Sequence, residues 1–383
     1  MTSGHDLFRQ GEFEKAEERF LHDVDSGQAT QAAGLKLAEL ALLRNDHSGV
    51  NRWLKAAGTD GEATKTRNTL LAESYSRRDM FAQAAPLERA LGQCARADRA
   101  QALANCPANE IRGSSSVRVP FTQIDPLPVI EATVNGEPAL FFLDTGGWEL
   151  LLDSKFAARV GIPSFGAVQG SFAGGRKADI EVGIADSVGL GDMHVANVPV
   201  HVKPMDAVTQ HVFGRALDGV LGTVFLYHFM PTIDYAGQQL VLEPLDAPPP
   251  SDKANIPFWL AGRHFVLAKG SVNGVGTGLF HIDTGLAGGG FMCPQSTIER
   301  AGIELDETKA FEGMGGGGPV RAIPFDIERL SLGSVDRGLI QGIYSEGFPE
   351  EAYGVALTGI ISHQFFREGS VTFDFQDMSL YVD

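Results

Sequence analysis

One short pattern occurs twice in this chain of 383 residues and constrains its fold more than any other feature. Apolar residues lead into Asp-Thr-Gly at 141–146 and again at 280–285. The apolar run favours a buried strand, and Asp, Thr and Gly favour a tight turn after it. A single copy would indicate an ordinary loop. Two copies in matching places predict that Asp144 and Asp283 form a paired site.

The surroundings of the two copies follow the same order. An Asn-Gly turn precedes each copy, and a short helix ending at glycine and a glycine-rich hairpin follow it. These features fall at Asn135-Gly136, Gly161 and 170–175 in the first half, and at Asn273-Gly274, Gly302 and 313–318 in the second. Many short strands with glycine turns predict an all-β, barrel-like lobe that is present twice, with a shared site between the lobes.

The first hundred residues have a helical pattern rich in Ala, Leu, Glu and Arg. Equivalent positions recur every 34 residues: the turn-forming Gly11, Asn45 and Asp79, and the small apolar Ala16, Val50 and Ala84. Paired amphipathic helices at this period resemble tetratricopeptide repeats, as does the run from Gly11 to Ala16 with Phe20. The resemblance implies either a surface that docks a protein partner or a helical cap over the next domain. The sequence leaves both interpretations open.

Composition excludes several classes of function. With 48 acidic against 31 basic residues, the formal charge of −17 disfavours nucleic acid and anionic membranes as partners. No apolar run reaches the roughly 18 residues of a membrane span. The three cysteines lack zinc-ribbon spacing, and the histidines at 194, 201, 211 and 228 lack the spacing of metal ligands. We therefore expect no metal and no cofactor.

From Val117 to Asp383 the chain resembles the aspartic peptidases of the pepsin and retropepsin kind. The resemblance lies in the paired Asp-Thr-Gly loops and in Val220-Leu221-Gly222, which is similar to the hydrophobic-hydrophobic-glycine motif of that family. It implies that Asp144 and Asp283 are catalytic. It also implies that Thr145 and Thr284 brace the two loops and that Gly146 and Gly285 permit a close backbone approach.

These patterns predict a mainly β protein of two pseudo-symmetric retropepsin-like β-barrel lobes, preceded by an all-α tetratricopeptide-like domain. We expect the helical domain at 1–108, a linker at 109–116, the first lobe at 117–247, a linker at 248–254 and the second lobe at 255–383. Proline, glycine and serine residues after Cys106 and three successive prolines at 248–250 indicate the linkers.

The paired carboxyl groups have a chemistry that stands without the family name. Two carboxylates within hydrogen-bonding distance share one proton and titrate together. The ionised partner removes a proton from a water molecule that attacks a peptide carbonyl, and the protonated partner donates to the carbonyl oxygen. The sequence does not assign the two roles. It predicts an aspartic endopeptidase whose substrate is a peptide or protein bound extended between the lobes.

The two glycine-rich hairpins are candidate flaps over this substrate. Glycine lets a hairpin open and close with little steric penalty, and closure would exclude water from the site. Ser171 and Phe172 in the first hairpin, and Gly313 and Met314 in the second, are the candidate substrate contacts. Apolar hairpin residues without a role are an equally good interpretation of Phe172 and Met314.

Three positions depart from the family pattern. Gly147 and Leu286 stand where Ser, Thr or Ala usually follows Asp-Thr-Gly, and Ser362 replaces an expected glycine. Losing a hydroxyl donor beside the carboxylate should raise the apparent pKa of the pair. The departures also support an alternative function, a catalytically weak or inactive peptide-binding scaffold that acts through its tetratricopeptide-like module.

The compartment has only indirect indications. The second repeat predicts a helix from about Thr30 to Arg44, and the same spacing would start the first helix before Met1. This favours an exported or periplasmic protein whose leader was removed. The low cysteine count fits the cytoplasm equally well.

Overall fold

A computed structural model describes residues 2–27, 30–58, 63–171, 177–315, 318–346 and 348–383. A helical segment comes first, and a β-rich part more than twice as long follows it. No helix in these ranges is long and apolar enough to cross a membrane.

The helical segment contains α1 to α7 and lies within the predicted range 1–108. Their bounds are α1 Gly4–Arg9, α2 Phe13–Asp25, α3 Thr30–Leu43, α4 His47–Ala57, α5 Ala63–Ser76, α6 Phe81–Ala90 and α7 Cys94–Leu103. Helix α3 agrees with the predicted helix to within one residue. The three turn-formers at 34-residue spacing, Gly11, Asn45 and Asp79, all adopt positive φ, at 74°, 57° and 54°. The same turn therefore recurs at the predicted period.

The first β-rich half places two neighbouring parallel strands at its centre. Its elements are β1 Glu110–Gly113, β2 Val117–Gln123, β3 Val129–Val134, β4 Glu137–Asp144, β5 Leu150–Asp153, α8 Ser154–Arg159, β6 Ser164–Ser171, β7 Lys177–Leu190, β8 Met193–Lys203, α9 Asp206–Phe213, β9 Gly219–Gly222, α10 Thr223–Leu226, β10 Met230–Asp234 and β11 Gln239–Glu243. Strand β4 pairs antiparallel with β3 and parallel with β9, which places Asp144 opposite Gly222.

The second β-rich half has the same pairing. Its elements are β12 Ala254–Ala261, β13 Phe265–Val272, β14 Val275–Asp283, β15 Phe291–Cys293, α11 Gln295–Ala301, β16 Phe311–Gly315, β17 Gly318–Leu332, β18 Val335–Ser345, β19 Glu351–Ala352, β20 Val355–Ser362, β21 Ser370–Asp374 and β22 Ser379–Val382, with short 3₁₀ helices at Glu307–Lys309 and His363–Phe366. Strand β14 pairs antiparallel with β13 and parallel with β20, which places Asp283 opposite Ser362.

An antiparallel sheet of six strands joins the two halves. Its order is β2, β11, β10, β21, β22 and β12, so three strands come from each half. At its centre Thr232 of β10 lies opposite Thr372 of β21, and their hydroxyl oxygens are 2.7 Å apart. The corresponding strands of the two halves therefore meet at the middle of this sheet.

The segment expected to be a linker at 109–116 contains a strand. Residues Glu110–Gly113 form β1, which pairs antiparallel with β8. Asn109 also donates a side-chain hydrogen bond to Asp79 at 2.9 Å. The Pro, Gly and Ser content of this segment disfavours a long strand, but free edge hydrogen-bonding groups on β8 pair four of its residues.

The helical segment packs on the second half through an apolar cluster. Phe8, Phe13 and Leu37 are almost fully buried against Trp259 and Leu279. The Phe13 and Trp259 rings lie 5.0 Å apart, centroid to centroid. This face of the helical segment is therefore covered by strands of the second half.

Candidate active site

Each Asp-Thr-Gly sits where a buried central strand ends. The last residue of β4 is Asp144, and the last residue of β14 is Asp283. The chain then turns sharply, and Gly147 N–H donates to the Asp144 carbonyl at 3.1 Å. The matching donor in the second turn is Leu286 N–H, 3.3 Å from the Asp283 carbonyl. Equivalent turns thus present both carboxyl groups.

The two loops meet face to face, and the structure brings the predicted pair together. A Cβ atom placed on Gly146 would lie 2.5 Å from the Asp283 carboxyl carbon, and one on Gly285 would lie 2.2 Å from that of Asp144. Real Cβ atoms do not approach so closely, so glycine is required at both positions. The two carboxyl groups lie close enough for each to shift the pKa of the other.

Backbone N–H groups of each turn lie next to the carboxyl group of that turn. Asp144 Oδ1 accepts from Gly146 N–H at 2.8 Å and from Gly147 N–H at 2.9 Å. Asp283 Oδ1 accepts from Gly285 N–H at 2.9 Å. Hydrogen bonds from N–H groups favour the ionised form of a carboxyl group. These bonds therefore favour the ionised form at both sites, and Leu286 N–H also acts on Asp283 in this direction.

Desolvation acts on both carboxyl groups, although each aspartate keeps partial exposure to solvent. Burial raises the pKa of Asp144 above its ordinary value, and the hydrogen bonds from Asp283, Gly147 and Gly146 oppose this rise. Burial also raises the pKa of Asp283 well above its ordinary value, and the neighbouring charge of Asp144 and their hydrogen bond add to it. The two carboxyl groups therefore favour a single proton shared between them.

Thr145 and Thr284 connect the loops beneath the carboxyl groups, at the positions predicted to brace them. Thr145 N–H donates to Thr284 Oγ1 at 3.0 Å, and Thr284 N–H donates to Thr145 Oγ1 at 3.0 Å. The Thr145 hydroxyl donates in turn to the Ile282 carbonyl at 2.9 Å. Both threonines are at most 1% exposed, so these bonds form without competition from water.

Different residues support the two loops, each at the end of the strand beside the loop. In the first half, the Thr223 hydroxyl donates to the Thr145 carbonyl at 2.7 Å, and Thr223 N–H donates to the Gly147 carbonyl at 3.0 Å. In the second half, the ring of His363 stands at the matching position, with Nδ1 3.2 Å from the Leu286 carbonyl oxygen. Burial lowers the pKa of His363 to about 4, so the ring is neutral near pH 7 and Nδ1 donates.

Ser362 replaces glycine without disrupting the second half. A Cβ on its counterpart Gly222 would lie 2.5 Å from the Glu149 carbonyl oxygen, so the first half requires glycine. The second half accommodates the Ser362 side chain, which is fully buried and accepts from Gln364 N–H at 3.1 Å. This hydroxyl caps the short helix at His363–Phe366.

The candidate flap residues lie in or beside two hairpins. Ser171 ends β6 opposite Lys177, and Phe172 lies outside the described residues. Gly313 and Met314 lie in β16, opposite Val320 and Pro319 of β17. Strand β16 comes within 8 Å of α9 in the first half, measured between Cα atoms. Their contact with substrate stays a prediction.

Sequence reasoning missed the residues that hold the first loop from behind. Trp148 and Glu149 follow the turn directly, and Arg99 of α7 reaches Glu149 with two hydrogen bonds. No motif marks an arginine in a helix 50 positions upstream of its partner. The one sequence signal that could have indicated Glu149 was its position, a charged residue directly before the apolar run of β5.

Metal chemistry has no ready set of ligands here. Among the described residues, no three or more His, Cys, Asp or Glu side chains are grouped so that they could hold a metal ion.

Part of the chain is similar to a known protein family. The model of a family described as aspartyl protease matches residues 130–225, from β3 into α10, which include Asp144 but not Asp283. Among solved structures, the chain is similar to a retropepsin-like aspartic protease from Rickettsia conorii, with 20% identity over 35% of this chain and 91% of that chain, and a TM-score of 0.25. No protein with a curated description matches. The matched residues of the first β-rich half are therefore similar to the aspartyl protease family.

Proposed function

We propose that this protein is an aspartic endopeptidase whose catalytic pair is Asp144 and Asp283. The observation that carries the proposal is the close approach of the two loops. Gly146 lies against the Asp283 carboxyl group and Gly285 against the Asp144 carboxyl group, so neither position has room for a side chain. The two β-rich halves would be retropepsin-like lobes, and the helical segment a tetratricopeptide-like module.

In the proposed reaction, Asp144 is the base and Asp283 the acid. Two backbone N–H groups donate to Asp144 Oδ1. Burial raises the pKa of both aspartates, and the neighbouring Asp144 raises that of Asp283 further, which favours Asp283 as the acid. Asp144 takes a proton from a water molecule as the water oxygen bonds to the peptide carbonyl carbon. Asp283 gives its proton to the carbonyl oxygen. When the C–N bond breaks, the proton held by Asp144 passes to the leaving nitrogen. One hydroxyl of the tetrahedral intermediate returns its proton to Asp283 as the C=O bond reforms, which leaves a carboxylic acid and an amine.

The substrate would be an extended peptide or unfolded segment lying between the lobes. The β6–β7 and β16–β17 hairpins would close over it, with backbone pairing along a flap edge. The approach of β16 to α9 supports a flap that reaches from the second half towards the first. A protein partner of the helical module would use a face other than the one packed on Trp259 and Leu279.

The second candidate function is a peptide-binding scaffold with little or no catalysis. The observation that favours it is the lack of a side-chain hydroxyl at Gly147 and Leu286, next to the two carboxyl groups. Against it, Gly147 still supplies its backbone N–H to Asp144 at 2.9 Å. The endopeptidase is therefore the better supported function.

A peptide-library digestion tests the proposal. The protein is incubated with a denatured protein and with a mixed peptide library from pH 4.5 to 8, with and without a statine-type inhibitor. We expect internal cleavage that the inhibitor abolishes. Inhibitor-sensitive binding of peptides without cleavage at any pH would favour the scaffold.

A further inference from the structure

Helix α7 contacts the loop that carries Asp144 through a buried ion pair. Arg99 Nη1 donates to Glu149 Oε2 at 2.6 Å, and Arg99 Nη2 donates to Glu149 Oε1 at 2.7 Å. Arg99 Nη1 also donates to the Val200 carbonyl of β8 at 3.1 Å. Both side chains are only 3% exposed. This two-point contact between guanidinium and carboxylate fixes the orientation of both groups, unlike a single hydrogen bond.

Glu149 belongs to the same short segment as the catalytic turn. The carbonyls of Gly147 and Trp148, directly before it, accept from Thr223 N–H at 3.0 Å and from Val224 N–H at 2.8 Å. Gly147 N–H in turn donates to Asp144 Oδ1. A shift of Glu149 would therefore move the peptide unit that stabilises the Asp144 carboxylate.

The Trp148 side chain is held by the same helix. The Arg96 guanidinium of α7 lies 4.2 Å from the indole centroid, and that of Arg263 from the second half lies 5.8 Å away. Arg263 is itself paired with Glu88 of α6 at 2.8 Å. The helical segment and both β-rich halves thus meet behind the Asp144 loop.

The charges facing Glu149 explain why it stays ionised. Burial alone would raise its pKa, but the charge of Arg99, the hydrogen bonds from Arg99 and the neighbouring charges, Arg263 among them, together outweigh that effect, and the net result is a pKa far below the ordinary value. His201 Nε2 lies 3.5 Å from Glu149 Oε2, and burial lowers the pKa of His201 to about 4. A buried ion pair often adds no more stability than apolar residues of the same size. The geometry that this pair imposes is therefore its distinctive contribution.

We propose that Arg99 and Glu149 are positioning residues for the reaction, through which helix α7 sets the geometry of the Asp144 loop. The helical segment would then help to set the geometry of the active site, in addition to covering the β-rich part. The kinetic test of this proposal rests on the proposed function. A second test, by nuclear magnetic resonance of the two aspartates, does not.

Three variants of the full chain test the proposal. Arg99→Met with Glu149→Gln removes both buried charges together. Arg99→Lys keeps the positive charge but loses the two-point contact with the carboxylate. Arg89→Met is the control. Arg89 also pairs with a carboxylate of α7, Asp98 at 2.6 Å, but on the surface. We expect the double variant to lower kcat about 10- to 100-fold with KM unchanged, because displacement of a catalytic group acts on the transition state. Arg99→Lys should fall between the double variant and wild type.

A titration separates positioning from a merely structural role. With carbon-13-labelled aspartate, the carboxyl resonances of Asp144 and Asp283 are assigned by Asn substitution and followed against pH. We expect the double variant to change their titration and the control to leave it unchanged. A folded double variant with wild-type kcat and titration would overturn the proposal, and so would failure of every Arg99 variant to fold, since the pair would then serve folding alone. If the wild-type protein cleaves nothing, the proposed function fails, while the titration still decides the positioning role.

Discussion

Thr145 and Thr284 each accept a hydrogen bond from the backbone N–H of the other, at 3.0 Å in both directions. The exchange joins the two β-rich halves directly beneath Asp144 and Asp283. Since both residues are buried, each N–H would lose its partner if the opposite hydroxyl were removed.

Thr284→Val tests this connection. The substitution keeps the shape of the side chain but leaves Thr145 N–H buried without an acceptor, which should lower the free energy of unfolding by about 1–3 kcal/mol. Urea unfolding measures the change. Thr69→Val, at an exposed helical position, is the control. Equal stabilities of the two variants would show that the exchange contributes nothing.

Gly147→Ser tests the missing hydroxyl. A Cβ at this position would lie 3.2 Å from Asp144 Oδ2, so a serine hydroxyl comes within reach of the carboxylate. A new donor favours the ionised form and lowers the pKa of Asp144, which burial holds above its ordinary value. We expect the acid limb of the cleavage rate to move to lower pH. Gly147→Ala supplies the same Cβ without the hydroxyl, and an identical pH profile for the Ser and Ala variants would contradict the prediction.

Acid should destabilise this protein well above the pH at which carboxylates titrate. Burial lowers the pKa of five histidines from 6.5, to about 4 for His47, His201, His264 and His363 and to about 3 for His281. Between pH 6.5 and 4 the unfolded chain binds protons that the folded chain does not, so stability falls as the pH falls. Each fully shifted histidine contributes about 1.4 kcal/mol per pH unit.

The raised pKa values of the aspartate pair have the opposite sign. Their contribution to stability is present below pH 3.8 and is lost as the pH rises through their folded values. Five histidines outweigh two carboxyl groups between pH 6.5 and 4. Unfolding free energies measured across this range should therefore decrease on acidification. His201→Gln should reduce the slope of unfolding free energy against pH by the contribution of one histidine, about 1.4 kcal/mol per pH unit. Constant or increasing stability would refute the assignment of these histidines as neutral.

The helical segment and the second half should unfold together. Phe13 is fully buried, and its ring centroid lies 5.0 Å from that of Trp259. Phe13→Ala should cost about 3–5 kcal/mol, because it leaves a cavity between the two parts. Phe311→Ala, at a residue that is 45% exposed, provides the comparison. A separate early melting of the helices, seen by circular dichroism while β-strand signals persist, would show that the interface is weak.

Residue pattern was enough to place the paired aspartates. The duplicated Asp-Thr-Gly predicted that Asp144 and Asp283 would meet, because equivalent strands of a duplicated fold come together about a shared axis. The 34-residue spacing likewise predicted turns at Gly11, Asn45 and Asp79, and all three residues adopt the positive φ that Gly, Asn and Asp tolerate.

Contacts between residues far apart in the chain could not be predicted from the sequence pattern. Arg99 has the sequence signature of an ordinary surface arginine on an amphipathic helix, and only the docking of α7 against β8 brings it to Glu149. Residues 110–113 form a strand because β8 offers them a free edge, which local composition does not reveal. The support of Leu286 by His363 depends on where β20 ends beside β14, and no motif marks a histidine at that position.

Cleavage of a denatured protein by Asp144→Asn and Asp283→Asn tests the central claim most directly. Each substitution replaces one member of the shared-proton pair with a group that neither gives nor takes a proton. Both purified variants should keep the wild-type fold and lose at least about a thousandfold in kcat, of the order reported when one member of a catalytic unit is removed. Cleavage at the wild-type rate by either folded variant would contradict the account.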